Sequence, residues 1–247
     1  MSASVVACRN VSVQFGAFRA IRDINLEFAS GKVTALIGPN GAGKTTLLNV
    51  LSGLQKPTTG EVFLTGKDVT RMSTSRRALC GMSRSFQIVN VFPGMSVKEN
   101  IRLAVQRKEL KRIVPWRPID SFTYVTAEVV RYLEVFDLTK LADQLAGQLS
   151  HGEQRGLEIA LSIVGEPRVL LLDEPLAGVG HADLPRFIDL LRRVCHGRTT
   201  VLVEHNMDVV MGLADEIVCL VSGAVLARGA PEQIRNDDRV RAAYLGT

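Results

Sequence analysis

The chain has 247 residues, 46% of them hydrophobic and 22% charged, which excludes a disordered or fibrous protein. A chain of this length buries roughly 70–75% of the surface its unfolded form exposes, so it needs no disulfide or metal staple. A net charge of +5 leaves nucleic acid and an anionic membrane surface open as partners.

In chain order, the N-terminal region reads as β-rich. Ile24, Leu26 and Phe28 alternate as in a half-buried strand, and a second apolar stretch follows at 33–37. From Lys44 the spacing changes to Leu47, Leu51 and Leu54, the i, i+4, i+7 pattern of one helical face. Between strand and helix stands Gly38-Pro39-Asn40-Gly41-Ala42-Gly43-Lys44-Thr45-Thr46, which fits GxxxxGK[ST]. Glycines there let backbone N–H groups curl around a phosphate, the helix start adds positive potential, and Lys44 supplies a mobile cation. Thr45 offers a hydroxyl to Mg²⁺.

Residues 92–164 read as largely helical, with a Pro115-Trp116-Arg117-Pro118 loop, and form a candidate lobe inserted into an α/β core. Within them, Leu149-Ser150-His151-Gly152-Glu153-Gln154-Arg155 has the Ser-x-x-Glu spacing of a capping box, ahead of a helix with Leu157, Leu161 and Val164 on one face. Continuous apolar runs at 169–172, 200–203 and 217–221 suit strands covered on both faces. The first ends in Asp173-Glu174, either ordinary turn acids or a pair that holds Mg²⁺ through Asp173 and faces an attacking water through Glu174. Ser222-Gly223 reads as a tight hairpin, and a polar helical tail follows. Cys8, Cys80, Cys195 and Cys219 form no CxxC pair and read as reduced thiols. No apolar run approaches the ~20 residues of a transmembrane helix.

Taken in order, the phosphate loop, the Leu149 segment, the Asp-Glu strand and His205 after another apolar strand resemble the nucleotide-binding subunit of ATP-binding cassette transporters. The resemblance spans essentially the whole chain. It implies an α/β P-loop NTPase core with an N-terminal antiparallel β subdomain (1–91 and 165–227), an inserted α-helical subdomain (92–164) and a C-terminal tail (228–247). It further implies a Q-loop glutamine at Gln87, a signature with phosphate-facing Ser150 and Gly152, Asp173 as metal-holding aspartate, Glu174 as catalytic carboxylate and His205 as switch histidine. Phe15 falls where the family stacks an aromatic on adenine; a plain core phenylalanine is the other reading.

Ser85-Phe86-Gln87, the stretch from Val91 through Phe92-Pro93-Gly94-Met95 to Asn100, Glu204-His205-Asn206-Met207-Asp208 and Ala243-Tyr244-Leu245-Gly246 look like the branched-chain amino acid importer group. So do the extra residues at 108–121; amide and urea importers share these features. The implied cofactors are ATP and Mg²⁺, the latter arranged by Thr45, Gln87 and Asp173. The implied partners are integral-membrane permease subunits, a second ATPase chain, identical or related, and indirectly a solute-binding protein. Nucleic acid is not expected, and the expected location is the cytoplasmic face of the inner membrane.

Phe92 and Met95 either line a groove for a permease helix or pack in the core. Three residues depart from the common family pattern: His151 and Glu153 in the signature, and Gly180 where most relatives carry the D-loop aspartate. Three rival readings are a cassette for lipid or lipopolysaccharide export, a soluble DNA-associated cassette ATPase, and a non-hydrolysing regulatory partner in a heterodimer, against which Glu174 and His205 argue. The second usually carries long coiled coils or zinc modules, and neither sustained heptads nor paired cysteines occur here.

Overall fold

The computed structural model describes residues 4–85, 91–109, 123–180 and 183–245. Gln87 and the loop around Trp116 lie outside the described residues. The chain divides into two compact units. The first comprises Met1–Arg84, Arg168–Glu174 and Arg192–Thr247; the second comprises Ser85–Pro167 and Pro175–Leu191.

The first unit is built on two sheets. β1 (Ser4–Phe15), β2 (Phe18–Ala29), β4 (Thr59–Leu64) and β5 (Lys67–Asp68) form an antiparallel sheet in the order β2-β1-β4-β5. In β2 the alternation seen in the sequence is realised, with Ile24, Leu26 and Phe28 all buried. The second sheet has the order β10-β9-β3-β8-β7-β6. Its strands are β3 (Val33–Ile37), β6 (Met82–Arg84), β7 (Val169–Asp173), β8 (Thr199–Val203), β9 (Glu216–Val221) and β10 (Ala224–Gly229). All run parallel except β10, which returns antiparallel to β9 through Ser222 (φ 47°) and Gly223 (φ 80°). Positive φ at both central residues is the signature of the tight hairpin read from the sequence.

The apolar runs are continuous because these strands are covered on both faces. Leu36, Val218 and Leu220 join a cluster with Leu47, Leu48 and Leu51 of α1 (Lys44–Ser52) and with Val6, Ile21 and Leu26 of the antiparallel sheet. Their neighbours in sequence, Ala35, Ile37, Ile217 and Cys219, point the other way. They pack with Val210 of α7 (Met207–Leu213), Ile234 of α8 (Pro231–Arg235) and Val240 of α9 (Asp238–Leu245).

Helix α1 is shorter than its periodicity predicts. Gly53, at φ 81°, ends it in a left-handed cap, and Leu54 falls beyond the helix and is half-exposed. Behind it α2 (Thr74–Leu79) carries the fully buried Arg77, whose Nη1 donates to the Val50 and Leu51 carbonyls at 2.6 Å each. A cation on the last carbonyls of α1 satisfies groups the helix itself leaves open.

The second unit is helical. α3 (Val97–Glu109) buries Val97, Ile101 and Val105 at four-residue intervals, and α4 (Thr123–Val135) buries Val125, Val129, Tyr132 and Leu133. α5 (His151–Ile163) buries Leu157 and Ile163. α6 (Leu184–Cys195) passes from this unit to the first at Leu191.

Candidate functional site

The phosphate loop leaves the C-terminal end of β3. Gly38, Gly41 and Gly43 have φ of 144°, 77° and 100°. At Gly38 a Cβ would stand 2.0 Å from the Leu220 carbonyl oxygen, and at Gly43 it would meet Ile21 Cγ2 at 2.6 Å and the Ala20 oxygen at 2.7 Å. Both positions therefore require glycine on two counts, backbone conformation and space. The β9–β10 turn supports the loop from below: the Gly223 N–H donates to Ala42 at 3.1 Å, and the Arg22 N–H to Gly223 at 2.7 Å.

Gly43 has no side chain with which to cap α1, and the first turn of the helix holds no acid, so its positive end faces the loop. Lys44 is buried, with Nζ donating to the Gly38 and Pro39 carbonyls at 2.6 and 3.0 Å. Burial pushes its ammonium below the ordinary lysine value, while Glu174, Cys219 and Asp173 pull it back up. The loop thus holds a cation close to two carboxylates.

Those carboxylates come from the tip of β7. β8 lies between β3 and β7, so the C-terminal ends of three adjacent parallel strands deliver the phosphate loop, the His205 turn and the Asp173-Glu174 pair to one edge. Such edges are where ligands bind in open α/β sheets. Glu174 has φ 48° and donates its N–H to the Val203 carbonyl at 2.9 Å. This left-handed turn redirects its side chain to His205, where Nε2 and Oε1 are 2.9 Å apart. The buried Glu204 builds the turn that presents His205 by accepting the N–H groups of His205 at 2.8 Å and Asn206 at 3.3 Å. Asn206 then caps α7.

Asp173 is 1% exposed and takes the Arg84 guanidinium at 2.8 Å. Arg84 also donates to Asn49 Oδ1 at 2.7 Å and Ser52 Oγ at 3.0 Å, both on α1. Burial pushes the Arg84 guanidinium below its ordinary value, and its bond and charge contact with Asp173 oppose that. Arg84, Glu204 and Tyr244, whose hydroxyl lies 2.6 Å from the Gly38 nitrogen, are the site-adjacent residues that sequence reasoning missed. For Tyr244 the Ala-Tyr-Leu-Gly resemblance was a signal of membership without a role.

Phe15 stands at the β1–β2 turn with half its surface exposed, which removes the core reading. Ser150 and Gly152 belong to the other compact unit. Ser150 is engaged in a complete capping box: its Oγ takes the Glu153 N–H at 3.3 Å, and Glu153 Oε2 lies 2.8 Å from the Ser150 nitrogen and 2.7 Å from its Oγ. In the same helix Arg155 pairs with the buried Glu158 and donates Nε to the Pro175 carbonyl at 2.9 Å. Gly180 does not occupy a left-handed conformation; its carbonyl accepts the Asp183 and Leu184 N–H groups at the start of α6. Phe92 is exposed.

The donors fit a nucleoside triphosphate with a hard divalent cation. The loop offers backbone N–H groups and an ammonium, which suit phosphate, while the Thr45 hydroxyl and Asp173 carboxylate are the oxygen ligands Mg²⁺ takes alongside phosphate oxygens.

Comparison with known proteins extends this reading over the whole chain. A protein-family model described as "ABC transporter" matches residues 21–177, and one described as "Branched-chain amino acid ATP-binding cassette transporter" matches residues 224–247. The high-affinity branched-chain amino acid transport ATP-binding protein LivG of Escherichia coli K12 is 37% identical, covering 100% of this chain and 99% of that protein. The corresponding BraF protein of Pseudomonas aeruginosa is 38% identical, again covering 100% of this chain and 99% of that one. Among solved structures, a nucleotide-free ATP-binding cassette from an ABC transporter superposes with a TM-score of 0.82 at 29% identity, over 99% of this chain and 100% of that one. From the glycine cradle to the last helix, then, the chain belongs to the ATP-binding cassette transporter family, as one of its ATP-binding, ATP-hydrolysing domains.

Proposed function

We propose that this chain powers uptake of branched-chain amino acids or similar small polar solutes through a separate membrane permease. The assignment of solute is supported by the full-length similarity to LivG and BraF, both named for branched-chain amino acid transport. The same relatives favour this reading over lipid export or DNA association. No helix among the described residues is long and apolar enough to cross a membrane. The path across it is assigned to partner chains, with this chain peripheral on the cytoplasmic face.

The observation that carries the mechanism is the contact of His205 with Glu174 beside the Lys44 cradle. The loop from Gly38 and Pro39 through Ala42 to Thr46 wraps the β- and γ-phosphates, with backbone N–H groups of Asn40, Gly41, Gly43, Lys44, Thr45 and Thr46 donating to them and Lys44 releasing its carbonyl partners to reach them. Thr45, Asp173 and Gln87 hold Mg²⁺, which supplies charge neutralisation when bound. Glu174 accepts a proton from the attacking water, and His205 orients the carboxylate and senses the γ-phosphate. Phe15 stacks on adenine. Most of the rate comes from positioning and fixed charge rather than covalent chemistry.

Ser150 and Gly152 act across a dimer, closing on nucleotide held by the partner chain. Binding favours the closed dimer, and that difference in affinity does the work on the permease. The helical segment 92–164 receives the permease, with Phe92 and Met95 on the receiving surface.

The test is Glu174→Gln. It retains ATP affinity, accumulates an ATP-bound dimer by size exclusion and loses roughly 10²–10⁴-fold in phosphate release, the range of a general base. Phosphate release at the unmodified rate removes Glu174 from the mechanism. Uptake of labelled leucine by membranes containing the co-purified permease tests the solute separately.

A further inference from the structure

The C-terminal helix reaches the phosphate loop. α9 docks through Val240, buried with Ala35, Ile37, Cys219 and Ile234. Tyr244 stands one turn further along the same face of the helix. Its phenol oxygen accepts the N–H of Gly38 at 2.6 Å. The carbonyl of the same glycine accepts Lys44 Nζ at 2.6 Å.

These two bonds hold opposite ends of one residue whose φ of 144° lies where only glycine goes readily. Glycine is also the residue with the widest freedom to leave that conformation. Rotation of ψ at Ile37 turns the Ile37–Gly38 peptide plane and draws the N–H away from Tyr244, and rotation of ψ at Gly38 draws the carbonyl away from Lys44. The Leu220 carbonyl, 2.0 Å from where a Cβ would stand, closes the remaining side. The hinge between β3 and the loop is therefore held by three elements, one of which arrives from the far end of the chain.

We propose that Tyr244 is a positioning residue of the nucleotide site, its hydroxyl clamping Gly38 so that the C-terminal helix sets the affinity of the phosphate loop for ATP. This rests on the phosphate-loop reading above. Burial pushes the phenol up to about 12, against the lowering effect of the Gly38 N–H. The acceptor is therefore neutral at working pH and adds no negative charge beside the phosphates. A loop that is competent only part of the time binds with a Kd raised by the inverse of that fraction.

Tyr244→Phe in the full-length chain keeps the ring and removes the oxygen. Calorimetry with a non-hydrolysable ATP analogue is expected to show affinity weakened roughly 3- to 10-fold, the equivalent of one neutral hydrogen bond. KM for ATP rises with it while kcat and melting temperature stay in place. In a ¹H–¹⁵N spectrum the Gly38 amide moves upfield and exchanges faster with solvent. Lys44→Ala is the reference arm. Unchanged affinity and an unmoved Gly38 amide in Tyr244→Phe, with binding lost in Lys44→Ala, overturn the clamp and leave the phosphate loop standing. Retained affinity in Lys44→Ala overturns both. Weaker binding that comes with a lowered melting temperature and an unmoved Gly38 amide also overturns the clamp, because the effect is then one of packing.

Discussion

Helices α1 and α5 begin in opposite ways. α1 starts from Gly43, a residue with no side chain to offer, and carries Lys44, Thr45 and Thr46 in its first turn with no acid among them. α5 starts from Ser150 and places Glu153 so that the two residues satisfy each other's backbone N–H groups. α3 repeats the second arrangement: Ser96 Oγ accepts the Glu99 N–H at 3.2 Å, and Glu99 Oε2 accepts the Ser96 N–H at 2.9 Å. A helix start that supplies its own acceptors has little left for a ligand, whereas one without them keeps its positive end for an outside anion. The difference separates a start that is stable by itself, whatever it meets across a dimer, from one that depends on a phosphate for its acceptors, and it predicts different failures at each.

The largest effect is expected at the open end. Gly43→Ala forces a Cβ to within 2.6 Å of Ile21 and 2.7 Å of the Ala20 oxygen while holding alanine at φ 100°. Overpacking and backbone strain together cost about 4 kcal/mol, read as a lowered urea midpoint together with lost nucleotide binding. A stable Gly43→Ala chain that binds ATP normally breaks the distinction at its root. Next, Lys44→Ala removes the one side-chain cation of the cradle. Loss of its charge-assisted bonds to phosphate is expected to weaken ATP about a hundredfold, or about 3 kcal/mol, by calorimetry, with little change in stability.

The open start was legible in the sequence because its requirements are local. Glycine at fixed spacing, a lysine and a hydroxyl between an apolar run and a helical face leave few alternatives. The capping box at Ser150 was legible for the same reason. What the sequence did not reveal is support from a distance. Arg84 meets Asp173 across 89 residues of chain, and Tyr244 meets Gly38 across 206. Nothing in the local pattern of either residue announces its partner, since each is ordinary for a strand end or a terminal helix. The one local overreach, Leu54 as a helix-face residue, came from weighting periodicity over the glycine before it. A left-handed Gly53 ends the helix whatever the apolar spacing beyond it.

At the capped end the effects are smaller and of another kind. Ser150→Ala removes the acceptor for the Glu153 N–H and is expected to lower stability by about 1 kcal/mol, measured by urea denaturation. Glu153→Gln sharpens the contrast. Glu153 holds a carboxylate on Ser150, the residue proposed to face the partner's phosphate. Neutralising it is expected to strengthen ATP-dependent dimerisation up to about fivefold, the range of a single charge at a helix start. Size exclusion in the Glu174→Gln background reads this directly. Weaker dimerisation would mean that the capping carboxylate is required to present Ser150.

The smallest effect belongs to α3, where the cap can be followed by pH. Hydrogen bonds from the Ser96 backbone and hydroxyl hold the Glu99 carboxyl below its ordinary range, against slight desolvation and with help from Arg102. A folded pKa below the unfolded value, about 4.3 for glutamate, means that the ionised cap stabilises the fold above that pH. The contribution fades as the pH falls through the folded pKa, where the carboxyl protonates in both states. Melting curves of the unmodified chain and of Glu99→Gln should therefore differ at neutral pH and converge in acid. Two curves that stay parallel from pH 7 down to the acid limit of folding would show that the charge of Glu99 does not contribute to the cap. The capped starts would then owe their stability to hydrogen-bond geometry alone, and the contrast with α1 would rest on the glycines rather than on electrostatics.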